Sequence, residues 1–272
     1  MADIRDEETS ILFKAVVFDL DGVITQTALV HAASWKEMFD EYLKKRQDRD
    51  GEPFKEFTHA SDYLPYVDGK PRYKGVESFL KSRHISLPFG DPSDSDDKET
   101  ICGLGNRKNK KFKEILARDG VQTYKSTVQL IQELKARRIH TGVASSSKNC
   151  LPVLKKAGLD ALFETCVDGI VSEKLGLKGK PDADIFVAAA KNMGVLPGES
   201  IVVEDAVSGV QAGRRGGFGL VIGIARENNE SSLTENGADV VITDFEGVDV
   251  TRLEEWFLKK NSQRIKDYGS KG

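Results

Sequence analysis

Two aspartates stand two residues apart where a short apolar run ends, because Lys14 to Leu20 contains Asp19 and Asp21 follows it directly. An apolar, β-branched run of this length predicts a buried strand. Side chains at positions i and i+2 of an extended strand point to the same side, so both carboxylates should face one crevice. In open α/β sheets, ligands bind in the crevice outside the carboxyl ends of the strands.

Two carboxylates this close need either a shared proton or a bound cation. Mg²⁺ would meet that need, because it takes carboxylate, carbonyl and phosphate oxygens and leaves one carboxylate free to attack phosphorus or to move a proton. The sequence Asp-Leu-Asp-Gly at 19–22 fits a plain strand-to-turn transition equally well, since aspartate and glycine are turn formers. The pair alone does not decide between catalysis and turn formation.

Three further elements at strand or helix ends favour phosphoryl transfer. Ser145 and Ser146 follow an apolar run and precede a helix, where a hydroxyl and free N–H groups can hold a phosphoryl group, although an N-cap explains one serine equally well. Lys180 opens another helix and could neutralise an aspartyl phosphate, whereas a lone lysine there normally faces solvent. Glu204 and Asp205 close a buried strand, which is costly without a partner such as a metal.

Apolar runs and helical patterns alternate through most of the chain. This alternation predicts an α/β fold with a Rossmann-like parallel sheet flanked by helices. The predicted strands are Lys14–Leu20, His140–Ser145, Ser200–Asp205, Phe218–Ala225 and Asp239–Phe245. The predicted helices between them are Thr127–Arg138, Lys148–Ala157, Asp182–Met193 and Ser208–Arg215.

The segment from residue 29 to residue 120 breaks this alternation, because it contains amphipathic helical patterns and no apolar run that predicts a strand. The patterns are His31–Arg46, Val76–Arg83 and Asn109–Arg118. We therefore expect an α/β core domain, residues 1–28 and 121–272, with an inserted helical cap domain, residues 29–120. The acidic stretch at 91–97 is interpreted as a solvated loop rather than a metal site.

Taken in order, the four strand-end elements resemble the four motifs of the haloacid dehalogenase superfamily, and its β-phosphoglucomutase-like group is the most similar. The matching segments are 18–25, 144–147, 180–181 and 204–205, so the resemblance covers essentially the whole core. It implies that Asp19 is phosphorylated, that Asp21 is the general acid/base, and that Ser145 and Lys180 bind phosphate. It also implies a Mg²⁺ ion held by Asp19, the backbone carbonyl of Asp21 and Asp205, with Glu204 nearby.

The resemblance extends to the insertion, which is similar to a helical cap that closes over a sugar phosphate and excludes water. His31 and Trp35 match positions characteristic of the mutase group, where the histidine helps to position the acid/base and the substrate. The segment 107–109, with Lys108 and Asn109, resembles a cap segment that contacts substrate. Without the resemblance, His31 would suit an exposed helix, Trp35 a core position and Lys108 a solvated face.

Arg72 and Lys74, on a loop between Pro71 and Gly75, are candidates for gripping a distal phosphate, with an ordinary surface loop as the alternative. Two departures from the family pattern bear on the outcome of the reaction. Gln26 stands where the mutase group commonly has an acid, and residues 124–127 lack the Pro-Gly often found before the next core helix. Neither departure affects the nucleophile.

Three functions remain for such a site. The first is an isomerase of the β-phosphoglucomutase type, in which phosphorylated Asp19 donates to a sugar phosphate and recovers a phosphoryl group from the bisphosphate. The second is a phosphatase, in which water attacks the aspartyl phosphate. The third is a non-catalytic phosphosugar sensor, which would not require the nucleophile. A dehalogenase is disfavoured, because halide departure needs no proton from Asp21.

Composition excludes several classes of protein. The 272 residues include 40 basic and 43 acidic side chains, a formal charge of −3 that favours neither nucleic-acid nor membrane partners. Three widely spaced cysteines indicate free thiols in a reducing compartment. Residues 1–10 lack the apolar segment of a signal peptide, and no run is long enough to span a bilayer. We expect a cytoplasmic monomer that acts on a small phosphosugar.

Overall fold

A computed structural model describes residues 12–226 and 228–269 of the chain, with side chains as far as residue 262. The segment 1–10, which we predicted to lack a signal peptide, lies outside the described residues. Among those described, no helix combines the length and the apolar character needed to cross a membrane. The three cysteines are free thiols, of which Cys166 is partly exposed. The cytoplasmic location stays a prediction.

The core is one parallel sheet, and its six strands confirm the predicted α/β fold. The strands are β1 Ala15–Phe18, β2 His140–Ala144, β3 Thr165–Val167, β4 Ser200–Glu204, β5 Leu220–Ile224 and β6 Val240–Ile242. They lie in the order β3-β2-β1-β4-β5-β6, so the direction of chain progression reverses beside β1. The sequence did not predict β3, because its three residues are too few to form an apolar run. In the structure a single one of them, Val167, is fully buried.

The residues that follow β1, β2 and β4 lie at one level of the sheet. Phe18 pairs with Val143 on one side and with Val203 on the other. The predicted site residues Asp19, Ser145 and Glu204 therefore come together at the carboxyl edge, where the strand order reverses. That switch point is the usual ligand site of an open parallel sheet.

The insertion is helical, as the sequence predicted. Its helices are α1 Thr27–Asp50, α2 Leu64–Tyr66, α3 Arg72–Ser82 and α4 Ile101–Asp119, with a π-helical turn at His59–Tyr63. They share an apolar cluster in which Phe39, Phe57 and Phe79 are almost completely buried. Burial of one such side chain contributes about 1.5–3 kcal/mol, so the insertion has a core of its own. The exact bounds of the two domains stay a prediction.

The predicted loop that carries Arg72 and Lys74 is wrong, because α3 begins at Arg72 rather than at Val76. Pro71 lacks an N–H and precedes the helix, and its carbonyl accepts the N–H of Gly75 at 2.9 Å as the first helical hydrogen bond. The acidic stretch is mostly exposed, but Asp94 within it is buried and accepts hydrogen bonds from Lys98 and Thr100, each at 2.7 Å.

Helices cover both faces of the sheet. They are α5 Lys125–Ala136, α6 Cys150–Lys156, α7 Gly169–Leu175, α8 Asp184–Asn192, α9 Val207–Arg215, α10 Glu230–Glu235 and α11 Val250–Gly269, with 3₁₀ turns at Asp160–Leu162 and Pro197–Glu199. Along β1, Val16 and Phe18 pack into the cluster that contains α5 and α11, and Ala15 and Val17 pack into the one that contains α8 and α9. This alternation places β1 in the middle of a three-layer core.

Candidate active site

The two aspartates share a cavity, although not for the reason predicted. β1 ends at Phe18, and Asp21 lies beyond it in an isolated β-bridge with Thr25 that encloses the turn at Gly22, so the i, i+2 argument from one continuous strand does not apply. Both residues nevertheless line the cavity at the carboxyl edge of the sheet. Gly22 makes the turn with φ of +88°, and a Cβ there would lie 1.7 Å from Asp205 Oδ2. Only glycine fits at this position.

Lys180 pairs with two buried carboxylates instead of facing solvent. Its Nζ lies 2.5 Å from Asp19 Oδ1 and also donates to Glu204 Oε1. The side chains are almost completely buried, with 2% exposure for Lys180 and 1% for Glu204. Burial lowers the pKa of Lys180, but the charges of Asp19 and Glu204 outweigh it and hold that pKa above its ordinary value. Lys180 is therefore a charged group beside the predicted nucleophile.

Asp19, Glu204 and Asp205 form a group that could hold a metal ion, since carboxylate oxygens of all three lie within 4.8 Å of one another. Burial raises the pKa of Asp19 well above its ordinary value, and the nearby carboxylates add to this effect. Burial, Glu204 and Asp68 likewise raise the pKa of Asp205. A divalent cation would relieve this crowding of negative charge, and an all-oxygen donor set suits Mg²⁺.

The Asp21 carboxylate is directed toward α1. Asp21 Oδ1 accepts a hydrogen bond from Thr27 Oγ1 and lies 3.4 Å from His31 Nε2. Burial raises the pKa of Asp21, but His31 and Thr27 together hold it below its ordinary value. His31 Nδ1 contacts Lys108 Nζ, and its ring stacks on Phe112 with the centroids 4.0 Å apart. His31 is thus a partly buried partner of Asp21 and not an exposed helix residue.

Lys108 is a buried lysine on α4. It has 3% exposure, and its Nζ lies 5.1 Å from the Trp35 ring centroid and 4.8 Å from that of Phe112. Among the residues that the structure describes, it forms no ion pair. Burial and the charge of Arg72 lower the pKa of Lys108 well below its ordinary value. The solvated-face interpretation of Lys108 is therefore wrong, and a bound anion would stabilise its charged form.

Other predicted residues connect the helical insertion to the core. Arg72 Nη2 and Asn149 Nδ2 both donate to Asn109 Oδ1 at 2.8 Å. Ser146 Oγ donates to the carbonyl of Gly69 at 2.9 Å. Arg72, Trp35 and Ser146 line the cavity. Lys74 is absent from that lining; its exposed side chain pairs with Glu77 at 2.8 Å.

Ser145 lies in the cavity wall, and its Oγ accepts the N–H of Ser147 at 3.1 Å. The helix that we predicted from Lys148 begins only at Cys150, so Ser147, Lys148 and Asn149 belong to the loop and line the cavity. Their position directly after Ser145 and Ser146 was a signal in the sequence that we did not use. Asp68 and Tyr63 from the insertion also line the cavity, and no local pattern indicates Tyr63.

Comparisons with known proteins agree with this geometry. The family model of haloacid dehalogenase-like hydrolases matches residues 13–217. A β-phosphoglucomutase of Mycobacterium bovis is 45% identical over 235 residues, which are 85% of this chain and 90% of that protein. A phosphorylated carbohydrates phosphatase of Thermotoga maritima is 24% identical over 247 residues, 88% of this chain and 98% of that protein.

A solved structure shows the same fold. The crystal structure of a β-phosphoglucomutase from Clostridium difficile superposes with a TM-score of 0.71, and the match covers 91% of this chain and 98% of that one. The two sequences are 22% identical, so this likeness concerns the fold alone.

Proposed function

The chain belongs to the haloacid dehalogenase-like hydrolase family, and on that premise we propose that it moves a phosphoryl group between two positions of a sugar phosphate through Asp19. The Mycobacterium bovis β-phosphoglucomutase, 45% identical over most of both chains, supports an isomerase of this type. The resemblance to the β-phosphoglucomutase group that the motifs indicated is confirmed.

The observation that carries this proposal is that two sets of basic side chains, one from the core and one from the helical insertion, line one cavity. Lys180 lies beside Asp19, while Arg72 and Lys108 come from the helical insertion, and Lys148 follows the serines of the second motif. Lys108 has no carboxylate partner among the described residues, so its ammonium group is available to bind an anionic group of the substrate. A phosphorylated nucleophile at one end and a phosphate ester at the other would neutralise both groups.

Asp19 is the proposed nucleophile. In the first transfer, a hydroxyl of the sugar phosphate attacks the phosphorus of phosphorylated Asp19, and the bond between that phosphorus and the Asp19 oxygen breaks to give a sugar bisphosphate and the free carboxylate. The bisphosphate then reorients. In the second transfer, Asp19 attacks its other phosphorus, the new bond replaces the bond to the sugar oxygen, and Lys180 offsets the charge on the transferred group.

Asp21 is the proposed acid/base. Its depressed pKa keeps it ionised, which is the state needed to accept a proton from the attacking sugar hydroxyl. The protonated Asp21 then donates that proton to the sugar oxygen that leaves when the phosphoryl group returns to Asp19. His31 holds Asp21 from one side, and a neutral His31 that accepts from Lys108 at Nδ1 carries its own proton on Nε2, toward Asp21.

Asp19, Glu204 and Asp205 would hold the Mg²⁺ ion that we infer, together with the backbone carbonyl of Asp21. When bound, the ion supplies positive charge to the oxygens of the transferring phosphoryl group. Both Glu204 oxygens already accept hydrogen bonds, Oε2 from the N–H groups of Asp205 and Ala206 at 2.8 Å. Glu204 therefore also fixes the backbone that carries Asp205.

We propose that residues 29–120 act as the cap over this site. Two of their hydrogen bonds with the core lie at the cavity: Ser146 with Gly69, and Asn109 with Asn149. Opening these contacts would admit the substrate, and closing them would exclude water from the aspartyl phosphate.

A phosphatase is the alternative, and the Thermotoga maritima relative favours it. The same Asp19, Asp21 and Lys180 would serve, with water as the acceptor. The two functions differ in how fast water reaches the aspartyl phosphate relative to a sugar hydroxyl, which depends on cap closure.

The test is incubation with Mg²⁺ and β-glucose 1-phosphate, with and without a catalytic amount of the glucose bisphosphate, while glucose 6-phosphate and free phosphate are measured together. We expect isomerisation without phosphate release, stimulated by the bisphosphate and abolished in Asp19→Asn. Phosphate release alone would establish the phosphatase. Retained isomerisation in Asp19→Asn would refute the covalent mechanism. His31→Ala should reduce isomerisation more than aryl-phosphate hydrolysis.

A further inference from the structure

Arg226 connects three segments just after the end of β5. Its Nε donates to the carbonyl of Gly22 at 2.8 Å, and its Nη1 donates to the carbonyl of Thr243 at 2.8 Å. The guanidinium carbon lies 3.5 Å from the centroid of the Tyr124 ring, so the guanidinium stacks on that ring. Arg226 is partly buried and lies outside the lining of the active-site cavity.

Gly22 is the residue that follows the proposed acid/base. Its φ of +88° makes the turn that carries Asp21, and glycine itself imposes little preference on that conformation. The turn must therefore be held by its neighbours. The N–H of Gly22 donates to the carbonyl of Thr25 at 2.8 Å, and the carbonyl of Gly22 accepts from Arg226. Arg226 thus supplies the charged half of this support.

Tyr124 lies where the chain returns from the helical insertion to the core. Its N–H donates to the carbonyl of Ile24 at 2.9 Å, and the neighbouring Thr123 forms a β-bridge with Thr25. The outgoing and returning chains are thus paired beside the turn at Gly22. The ring of Tyr124 completes the contact by lying against the guanidinium of Arg226.

We propose that Arg226 is a positioning residue that holds Asp21 in place for proton transfer and ties its turn to the paired connections of the helical insertion. This inference rests on the proposed acid/base role of Asp21. A planar guanidinium can donate in two directions while it stacks on a ring, and a lysine ammonium cannot. Arg226 acts on Asp21 through Gly22, and it lies outside the lining of the active-site cavity.

The test compares two phosphoryl donors with different leaving groups. β-Glucose 1-phosphate exchanges a sugar oxygen that needs proton transfer, whereas p-nitrophenyl phosphate releases a phenolate that needs almost none. Arg226→Met removes every donor and keeps an apolar side chain for the Tyr124 ring. We expect kcat for isomerisation to fall by about ten- to a hundredfold, as for loss of one hydrogen bond from a charged donor. The pre-steady-state burst of nitrophenolate should be nearly unchanged.

Three variants make the result decisive. Arg226→Lys keeps the charge and should show the same selective loss to a smaller extent, and guanidinium ion in the buffer should restore part of the isomerisation lost in Arg226→Met. Asp21→Asn is the reference for a pure proton-transfer defect. Arg252→Met is the matched surface control, because Arg252 pairs with exposed Glu255 at 2.7 Å. It should leave both rates unchanged.

Equal loss with both donors, in proportion to a loss of thermal stability, would overturn the inference and leave Arg226 a structural residue. Wild-type rates in Arg226→Lys and Arg226→Met would also overturn it. If Asp21→Asn itself shows no selectivity for the sugar phosphate, the proposed role of Asp21 fails, and the inference fails with it. Selective loss in Asp21→Asn without selective loss in the Arg226 variants rejects the inference alone.

Discussion

Replacement of Lys180 by methionine tests the buried charges that define the site. The substitution keeps the length of the side chain but removes the cation 2.5 Å from Asp19 and in contact with Glu204. Breaking a buried ion pair by removal of one partner typically costs about 3–5 kcal/mol, because the remaining charge is left buried without compensation. That is a large part of the roughly 5–15 kcal/mol by which proteins are stable, so the free energy of unfolding should fall markedly.

Glu204 keeps two backbone N–H donors in the variant, whereas Asp19 loses its cation. The orphaned charge at Asp19 should therefore dominate the cost. Lys180→Met combined with Asp19→Asn should be more stable than Lys180→Met alone by about 1–3 kcal/mol, the coupling expected between residues in direct contact. Asp19→Asn alone should cost less than Lys180→Met, because Lys180 still pairs with Glu204.

The assay is urea unfolding at neutral pH without divalent metal, followed by circular dichroism and by tryptophan fluorescence. Lys110→Met is the matched control, because Lys110 pairs with Asp96 at 2.9 Å on the surface, where solvent screens the pair and its contribution to stability is small. If Lys180→Met costs no more than Lys110→Met, or if Asp19→Asn recovers nothing in the double variant, the argument for a charged buried pair is refuted.

Other predictions concern the turn, the insertion and the distal cation. Gly22→Ala should lower Mg²⁺ affinity by about tenfold or more, because its Cβ would displace the Asp205 carboxylate. Titration calorimetry measures this affinity, and an unchanged value would place Asp205 outside the metal site. Hydrogen bonds, first from Lys98, lower the pKa of Asp94 to about 2, below its ordinary 3.8. Its ionised form therefore stabilises the fold above about pH 4, and this stability is lost as the pH falls toward about 2. Asp94→Asn should flatten the acid side of the profile of thermal midpoint against pH. Lys108→Met should leave thermal stability unchanged or higher, since it removes an unpaired buried charge, and should raise KM for the sugar phosphate about tenfold; lower stability with unchanged KM would contradict the role of Lys108.

The sequence predicted the strands that consist of a continuous apolar, β-branched run. The runs at Lys14–Leu20 and Ser200–Asp205 are rich in β-branched residues, and the strands within them, Ala15–Phe18 and Ser200–Glu204, are fully buried, so both strands were visible in the sequence. The strand β3 and the short helices α7 and α10 were not, because short segments are specified by the surfaces they pack against rather than by their own sequence. Thr165–Val167, for example, pairs with β2 and is stabilised there. The helix α11 was also missed, although it has 20 residues and its Val250, Leu253 and Phe257 have the spacing of a buried helix face.

The order of Asp19, Ser145, Lys180 and Glu204 along the chain was sufficient to indicate the family and the chemistry, because each stands at the end of a strand or before a helix, at the edge where parallel strands end together. Only the tertiary structure decided how deeply each lysine is buried and which groups surround it. Lys180 became a buried partner of two carboxylates, Lys108 a buried cation beneath aromatic rings, and Lys74 an exposed residue away from the cavity. The three are the same residue type, and burial and neighbours from distant segments made them different.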